Sequence, residues 1–219
     1  MLTIGLPLVG DLPQECVTDL LVAAAQSTRL MERVVFICPQ NVYPHDRARE
    51  LIITEALKTE SELLWFIDSD TRPPSDALFK LHDVLVRRKA VMVSGYYVQR
   101  GYPFGSTWST VNPGCAGVQQ DIPEEVDDLR IDGCGLGCAL VDLQWIRENM
   151  NPPFFLMECD PSLETKYKWE DAFFCKKISD CGGEIWGHTK VVCKHMGQRG
   201  CITPESAGML KRIEAEKLL

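Results

Sequence analysis

The chain has no run approaching the roughly 18 consecutive apolar residues that span a bilayer, and its first residues show no secretory signal pattern. Met1–Pro7 lacks a basic start, and Gly5 and Pro7 interrupt its apolar stretch. These absences predict a soluble, cytoplasmic protein with no transmembrane segment. Positive charge is also not in excess: 31 acidic against 23 basic residues leave a net charge of −8. That excludes a general nucleic-acid binder, which carries a basic face, although a local basic pocket can still hold a small anion. Ten cysteines contain no CxxC pair, so a zinc ribbon or a thioredoxin motif is not expected. Their scatter and apolar neighbours (Phe36-Ile37-Cys38, Phe173-Phe174-Cys175) point to buried free thiols rather than a catalytic cysteine. Intracellular disulfides of the kind found in hyperthermophiles are the sharper alternative. No repeat, low-complexity tract or linker divides the 219 residues, so one continuous domain is expected.

What is present is a core-forming composition, 45% hydrophobic and 25% charged. The first half alternates short apolar runs with helical spacing. Strands are expected at Leu2–Leu6, Arg33–Cys38, Leu63–Ile67 and Ala90–Ser94. Helices are expected at Gln14–Leu30, with Val17, Leu20, Leu21 and Ala24 on its apolar face, at His45–Thr59, with Leu51, Ile52, Ala56 and Leu57, and at Ser75–Arg88. Such β-α units imply an α/β fold with a mostly parallel central sheet and flanking helices. Residues 95–131 are rich in Gly, Pro, Ser, Thr and Tyr with only scraps of strand. Leu136–Val141 is again apolar. Glu170–Cys181 reads as a helix stopped by Gly182-Gly183, Glu184–Trp186 and Val191–Cys193 as two short strands, and Thr203–Leu219 as a terminal helix.

The strongest chemical signal is Asp68-Ser69-Asp70, where the buried-looking strand 63–67 breaks into two carboxylates one residue apart. The ends of strands in open α/β sheets are where ligands sit. Two carboxylates there repel unless a divalent cation joins them, and hard oxygen ligands suit Mg²⁺ or Mn²⁺. An Asp at a strand-to-loop junction is also an ordinary turn residue; the apolar strand before it and the Arg72-Pro73-Pro74 loop after it favour a site. Trp169-Glu170-Asp171 opens a helix. Acids there complement the helix dipole, or Asp171 and Glu170 serve as a general base beside a Trp169 wall for a sugar ring. His195, after a strand, is a candidate third metal ligand, and Lys194 and Arg199 are candidate phosphate contacts, against a plain reading as structural or surface groups. Arg47 and Arg49, at the start of the second helix, are either exposed helix charge or contacts to a diphosphate. Gly133-Cys134-Gly135-Leu136-Gly137 lacks the strand–turn–helix context of a dinucleotide fingerprint. Gly135 and Gly137 instead suit a tight turn or a close approach to sugar.

In this order, the strand ending in Asp68-Ser69-Asp70, the glycine-rich segment, Trp169-Glu170-Asp171 and His195 resemble the GT-A glycosyltransferases, nearest to the family 2 type and its viral or archaeal relatives. The likeness runs from Leu2 to about Gly200 and is loose in the middle. It implies a nucleotide-diphospho-sugar transferase fold with a nucleotide-binding half at 1–100, an acceptor-side half at 101–202 and a C-terminal helix at 203–219. It implies Asp68, Asp70 and His195 as holders of Mn²⁺ or Mg²⁺, and Asp171 with Glu170 as catalytic base or acceptor contact. Pro7, Arg47, Arg49, Asp68, Ser69, Asp70, Lys194 and Arg199 would meet a UDP- or GDP-linked donor. Gly135, Gly137, Trp169 and Glu170 would meet the acceptor or sugar. The acceptor would be a carbohydrate, a lipid-linked molecule or a protein, and the compartment the host cytoplasm if the protein is viral. The segment Pro7-Leu8-Val9-Gly10-Asp11 departs from the usual family 2 opening, which leaves base binding unassigned. Two other classes fit the same residues: a nucleotidyltransferase releasing pyrophosphate, and a non-catalytic binding or structural protein on a transferase fold.

Overall fold

The computed structural model describes residues 1–100, 105–109, 126–159, 167–197 and 200–208. Its strands are β1 (Leu2–Gly5), β2 (Val34–Ile37), β3 (Leu63–Ile67), β4 (Thr71–Arg72), β5 (Met92–Tyr96), β6 (Asp128–Ile131), β7 (Cys138–Asp142), β8 (Glu158–Cys159), β9 (Tyr167–Lys168), β10 (Ile185–Val192), β11 (Lys194–Gly197) and β12 (Gly200–Ile202). Its helices are α1 (Gln14–Ser27), α2 (His45–Leu57), α3 (Ala77–Arg88), α4 (Leu143–Asn149) and α5 (Glu170–Asp180). Seven strands form the central sheet in the order β2-β1-β3-β7-β5-β10-β6.

That sheet is more mixed than repeated β-α units imply. The β1–β2, β1–β3 and β5–β10 pairs are parallel, whereas β7 runs antiparallel between β3 and β5, and β6 runs antiparallel at the edge. The cause lies in the chain order: β5 leaves a gap beside β3, and the chain returns from the same rim to fill it. The alternation of side chains along β3 divides the core. Leu64 and Phe66 face one cluster, which contains Ile52, Ile53, Ile146, Phe174 and Ile178 from α2, α4 and α5. Leu63, Trp65 and Ile67 face the other, with Ala23, Leu78, Leu81 and Leu85 from α1 and α3. Helices therefore cover both faces, and the strand is buried throughout.

Several local expectations are corrected. The buried face of α1 is Cys16, Ala23 and Ser27, while Leu21 is 65% exposed. On α2 the buried face is Ala48, Arg49, Ile52, Ile53 and Ala56, with Leu51 turned outward. The two short strands expected at 184–186 and 191–193 are one strand, β10, with a register shift between His188 and Val192. Helix α4 was not expected; the Asp142 carboxylate caps it by accepting from the Trp145 N–H at 3.0 Å. Of the terminal helix, 204–208 is helical, and 209–219 lies outside the described residues. Eight cysteines are free among the described residues, Cys16, Cys134, Cys138, Cys175 and Cys193 of them buried. No helix among the described residues is long and apolar enough to cross a membrane.

Candidate functional site

Strands β1, β3 and β5 end at one rim of the sheet, and the antiparallel β7 begins there. The chain therefore brings the end of β3, the end of β5 and the loop 133–137 together. The Asp68 N–H donates to the Gly137 carbonyl (3.0 Å), and the Gly137 N–H donates to the Tyr97 hydroxyl (2.8 Å). A second, three-stranded sheet, β12-β11-β4, sits on this rim. Its β11–β4 pairing sets His195 opposite Thr71, and the Met196 N–H donates to the Asp70 carbonyl at 2.7 Å. A strand pairing thus carries His195 to Asp70, across 125 residues of chain.

The two carboxylates have different surroundings. The Asp68 side chain meets the Arg49 guanidinium, whose Nη2 lies 3.0 Å from both oxygens but hydrogen bonds only Oδ2. Oδ1 of Asp68, Nη1 of Arg49 and the Thr71 hydroxyl are buried without a hydrogen-bond partner among the described residues. Arg49 also donates from Nε to Glu170 Oε1 at 3.3 Å. Burial alone would favour losing its proton, but the Asp68 and Glu170 carboxylates outweigh that and hold it charged. Asp70 faces His195, with Nε2 at 3.5 Å from Oδ1, and Arg100, with Nη1 at 2.7 Å from Oδ2. Burial pushes the Asp70 carboxyl up, yet the hydrogen bond and charge of His195 and the charge of Arg100 bring it below its ordinary range.

The His195 ring carries the chemical hint. Its Nδ1 lies 2.8 Å from the Val98 carbonyl, which only accepts, so Nδ1 is the protonated nitrogen. In the neutral ring, Nε2 then turns a lone pair toward a carboxylate oxygen. Two acceptors facing each other need a proton or a cation between them, and an imidazole whose other nitrogen is tied to a backbone carbonyl is the usual form of a histidine ligand.

Asp171 opens α5, half-buried, and its Oδ1 accepts from the Ala172 N–H at 2.7 Å. Burial first, then the neighbouring Glu170 carboxylate, pushes its carboxyl up to about 7. Beside it, Trp169 is 51% exposed. Tyr97 is held as the neutral phenol, mainly by burial and then by the charge of Asp68.

A cleft of about 340 Å³ opens next to Asp70, within the size range of small-ligand sites. Val9, Asp11 and Pro13 line it from the segment after β1, Tyr43 and His45 from the start of α2, and Ser69 and Asp70 from the end of β3. Arg100 closes its side.

Among the expected site residues, Asp68, Ser69, Asp70 and His195 converge, with Asp171 held near them through Glu170 and Arg49. Others sit elsewhere. Pro7 is buried and does not line the cleft, and Arg47 is exposed. Arg49 is 5% exposed and spent on two internal carboxylates, so it braces the site rather than meeting a diphosphate. Glu170, 7% exposed, is the other end of that brace rather than a free base. Lys194 is exposed and alternates with His195 along β11, which turns it from the carboxylates. Gly135 and Gly137 do not leave room for a sugar: a Cβ on either would lie 2.3 or 2.8 Å from the Tyr97 hydroxyl, so they are glycine because Tyr97 packs there. Arg199 lies outside the described residues. Sequence reasoning missed Asp11, Tyr43, His45, Tyr97 and Arg100. Only the Tyr43-Pro44-His45 start of α2 and the position of Arg100 shortly after a strand end gave any signal.

No family model matches the chain, and no curated protein does. A solved structure does: the crystal structure of A197 from STIV superimposes with a TM-score of 0.65 at 18% identity, over 94% of this chain and 91% of that one. The fold resembles that of A197. At this identity the likeness speaks to fold alone, an α/β architecture with helices on a mixed sheet.

Proposed function

We propose that the protein is a GT-A-type glycosyltransferase, dependent on Mn²⁺ or Mg²⁺, that moves a sugar from a nucleotide-linked donor to an acceptor hydroxyl. The observation that carries this reading is the Asp70–His195 pair, a carboxylate and an imidazole nitrogen 3.5 Å apart at a strand end. No group of three or more His, Cys, Asp or Glu side chains among the described residues is placed to hold a metal by itself. Mg²⁺ bound with phosphates is commonly held by one or two carboxylates plus substrate oxygens rather than by a complete protein cage. Asp70 and His195 would hold the cation together with oxygens of the donor phosphates. When bound, it offsets the charge that collects on the departing nucleoside diphosphate.

The chain's own groups do the rest. Arg100, now on Asp70, is the cation nearest the cleft and can turn to a phosphate. Trp169 offers a flat apolar face to a sugar ring beside Asp171. Asp171 takes the acceptor's hydroxyl proton as the acceptor oxygen bonds to the anomeric carbon. The bond from that carbon to the phosphate oxygen breaks, and its electron pair leaves on the diphosphate.

The test is a thermal-shift panel of nucleoside diphosphates and nucleotide sugars with Mn²⁺ or EDTA. A ligand at about 100 times its Kd stabilises by roughly 2.7 kcal/mol, about 5–10 °C in Tm for a chain of this size. UDP- or GDP-linked ligands should give that rise with Mn²⁺ and much less with EDTA, and Asp70→Asn should remove the metal-dependent part. No shift from any nucleotide under either condition would sink the proposal.

A further inference from the structure

Resting on that reading, we infer that the cleft beside Asp70 reads the donor's base and selects guanine, with Asp11 as the residue that does so. The charge of a nucleoside diphosphate lies in its phosphates, and the cation facing this cleft is Arg100, at the Asp70 side. Asp11 repels phosphate, so it faces the uncharged part of the ligand. It has no hydrogen bond or ion pair among the described residues and is exposed, which leaves its carboxylate free to bind.

The cleft supplies two kinds of contact. Tyr43 and His45, with ring centroids 6.1 Å apart and planes tilted by 57°, form an aromatic wall. Stacking on such a wall holds any base, because every base has a π-face. Discrimination must come from hydrogen bonding, and the carboxylate of Asp11 only accepts. Guanine alone presents two adjacent donors, N1–H and the N2 amino group, to match two carboxylate oxygens. Uracil presents one N–H between two carbonyls, which would repel the second oxygen. Adenine and cytosine present an amino group beside a ring acceptor.

The two walls are also fixed before any ligand arrives. The Leu8 N–H donates to the Pro39 carbonyl (3.2 Å), and the Asn41 N–H donates back to the Leu8 carbonyl (2.9 Å). The Gly10 N–H donates to Asn41 Oδ1 at 3.2 Å. Gly10 and Asn41 both take left-handed backbone, φ +73° and +54°, which suits Gly and Asn. The segment bearing Asp11 is thereby tied to the segment leading to Tyr43, and a preset pair of walls lowers the ordering cost of binding.

The experiment is calorimetric titration of GDP, UDP, ADP, CDP and inosine diphosphate, with Mn²⁺, into the wild-type chain and Asp11→Asn. A bidentate contact of this kind discriminates by roughly 10–100-fold. GDP should bind at least tenfold tighter than UDP, ADP or CDP. Inosine diphosphate, which keeps N1–H and lacks the amino group, should fall between. In Asp11→Asn, GDP affinity should drop to the level of the others, which should hardly change. UDP, ADP or CDP matching GDP in the wild type would overturn the inference while leaving the donor-site reading intact. So would an equal loss for all ligands in the variant, since that places the carboxylate on the ribose. No binding by any diphosphate would overturn the donor-site reading and this inference with it.

Discussion

Asp171→Asn should release nucleoside diphosphate from a bound nucleotide sugar ~10²–10⁴-fold more slowly than wild type, the usual loss for a general base. Donor affinity should stay nearly unchanged, because Asp171 is at the start of α5 and does not line the cleft beside Asp70. Hydrolysis of the donor, with water in place of the acceptor, is enough to measure this. The pH profile adds a second readout. With its carboxyl pushed up to about 7, Asp171 is mostly protonated at pH 6. Wild-type kcat/KM should climb through about pH 7, and the variant should lose that limb. Stability should move the other way. A carboxyl whose folded value is raised favours the fold below its ordinary value of 3.8, and that advantage fades as pH rises to about 7. Asp171→Asn, neutral at every pH, should match wild type near pH 4 and be roughly 1–2 kcal/mol more stable at pH 8, after allowance for solvent around this half-buried group. A variant that unfolds easily but turns over normally when folded would make Asp171 a helix-start residue and no base. Loss of Mn²⁺-dependent donor binding would place it in the metal half of the site.

Arg49→Met should cost about 3–5 kcal/mol of stability in urea or guanidinium unfolding, the range for removing one partner of a buried ion pair. The Arg49 side chain fills the space between α2, α5 and the end of β3, and its head lies 5.7 Å from the centroid of Phe66. Methionine keeps much of the packing and removes the charge. Asp68 and Glu170 are then left buried without their counter-ion. Adding Glu170→Gln should restore part of the loss, because one of the two stranded charges is gone. An Arg49→Met protein as stable as wild type at pH 7 would show that Arg49 does not brace the site.

Local breaks in pattern were legible in the sequence. Leu63–Ile67 followed by Asp68-Ser69-Asp70 is such a break, and the strand lies where it predicts. Partnerships set by distant chain were not legible. Arg49 read as exposed charge or a diphosphate contact because its partners are 19 and 121 residues away, and an arginine's burial is decided by whether both arrive. His195 was legible as a candidate by its place after a strand, but the β11–β4 pairing that delivers it to Asp70 was not. The short β4 carries no pattern of its own. Helix α4 spans seven residues, too few for periodicity to show, though Asp142 marked its start. Leu21 on α1 turns outward because the inward face is made of the small residues Cys16, Ala23 and Ser27.

The antiparallel β7 has one more consequence, for how the chain acquires its structure. Residues 1–100 contain β3 and β5, but the strand that joins them, β7, is made 40 residues later. A fragment cut after residue 100 would carry two buried-type strands of five residues each with open edges, a template for aggregation. During synthesis these strands wait for 138–142 to join them, and β5 waits further for β10 at its other edge, so residues 1–100 do not complete a sheet by themselves. Both insertions are long-range pairings, slowed by the entropy of closing a long loop. Asp68 and Tyr97, each bonded to Gly137 at the entry to β7, are tied together only once that strand has filled the gap between β3 and β5.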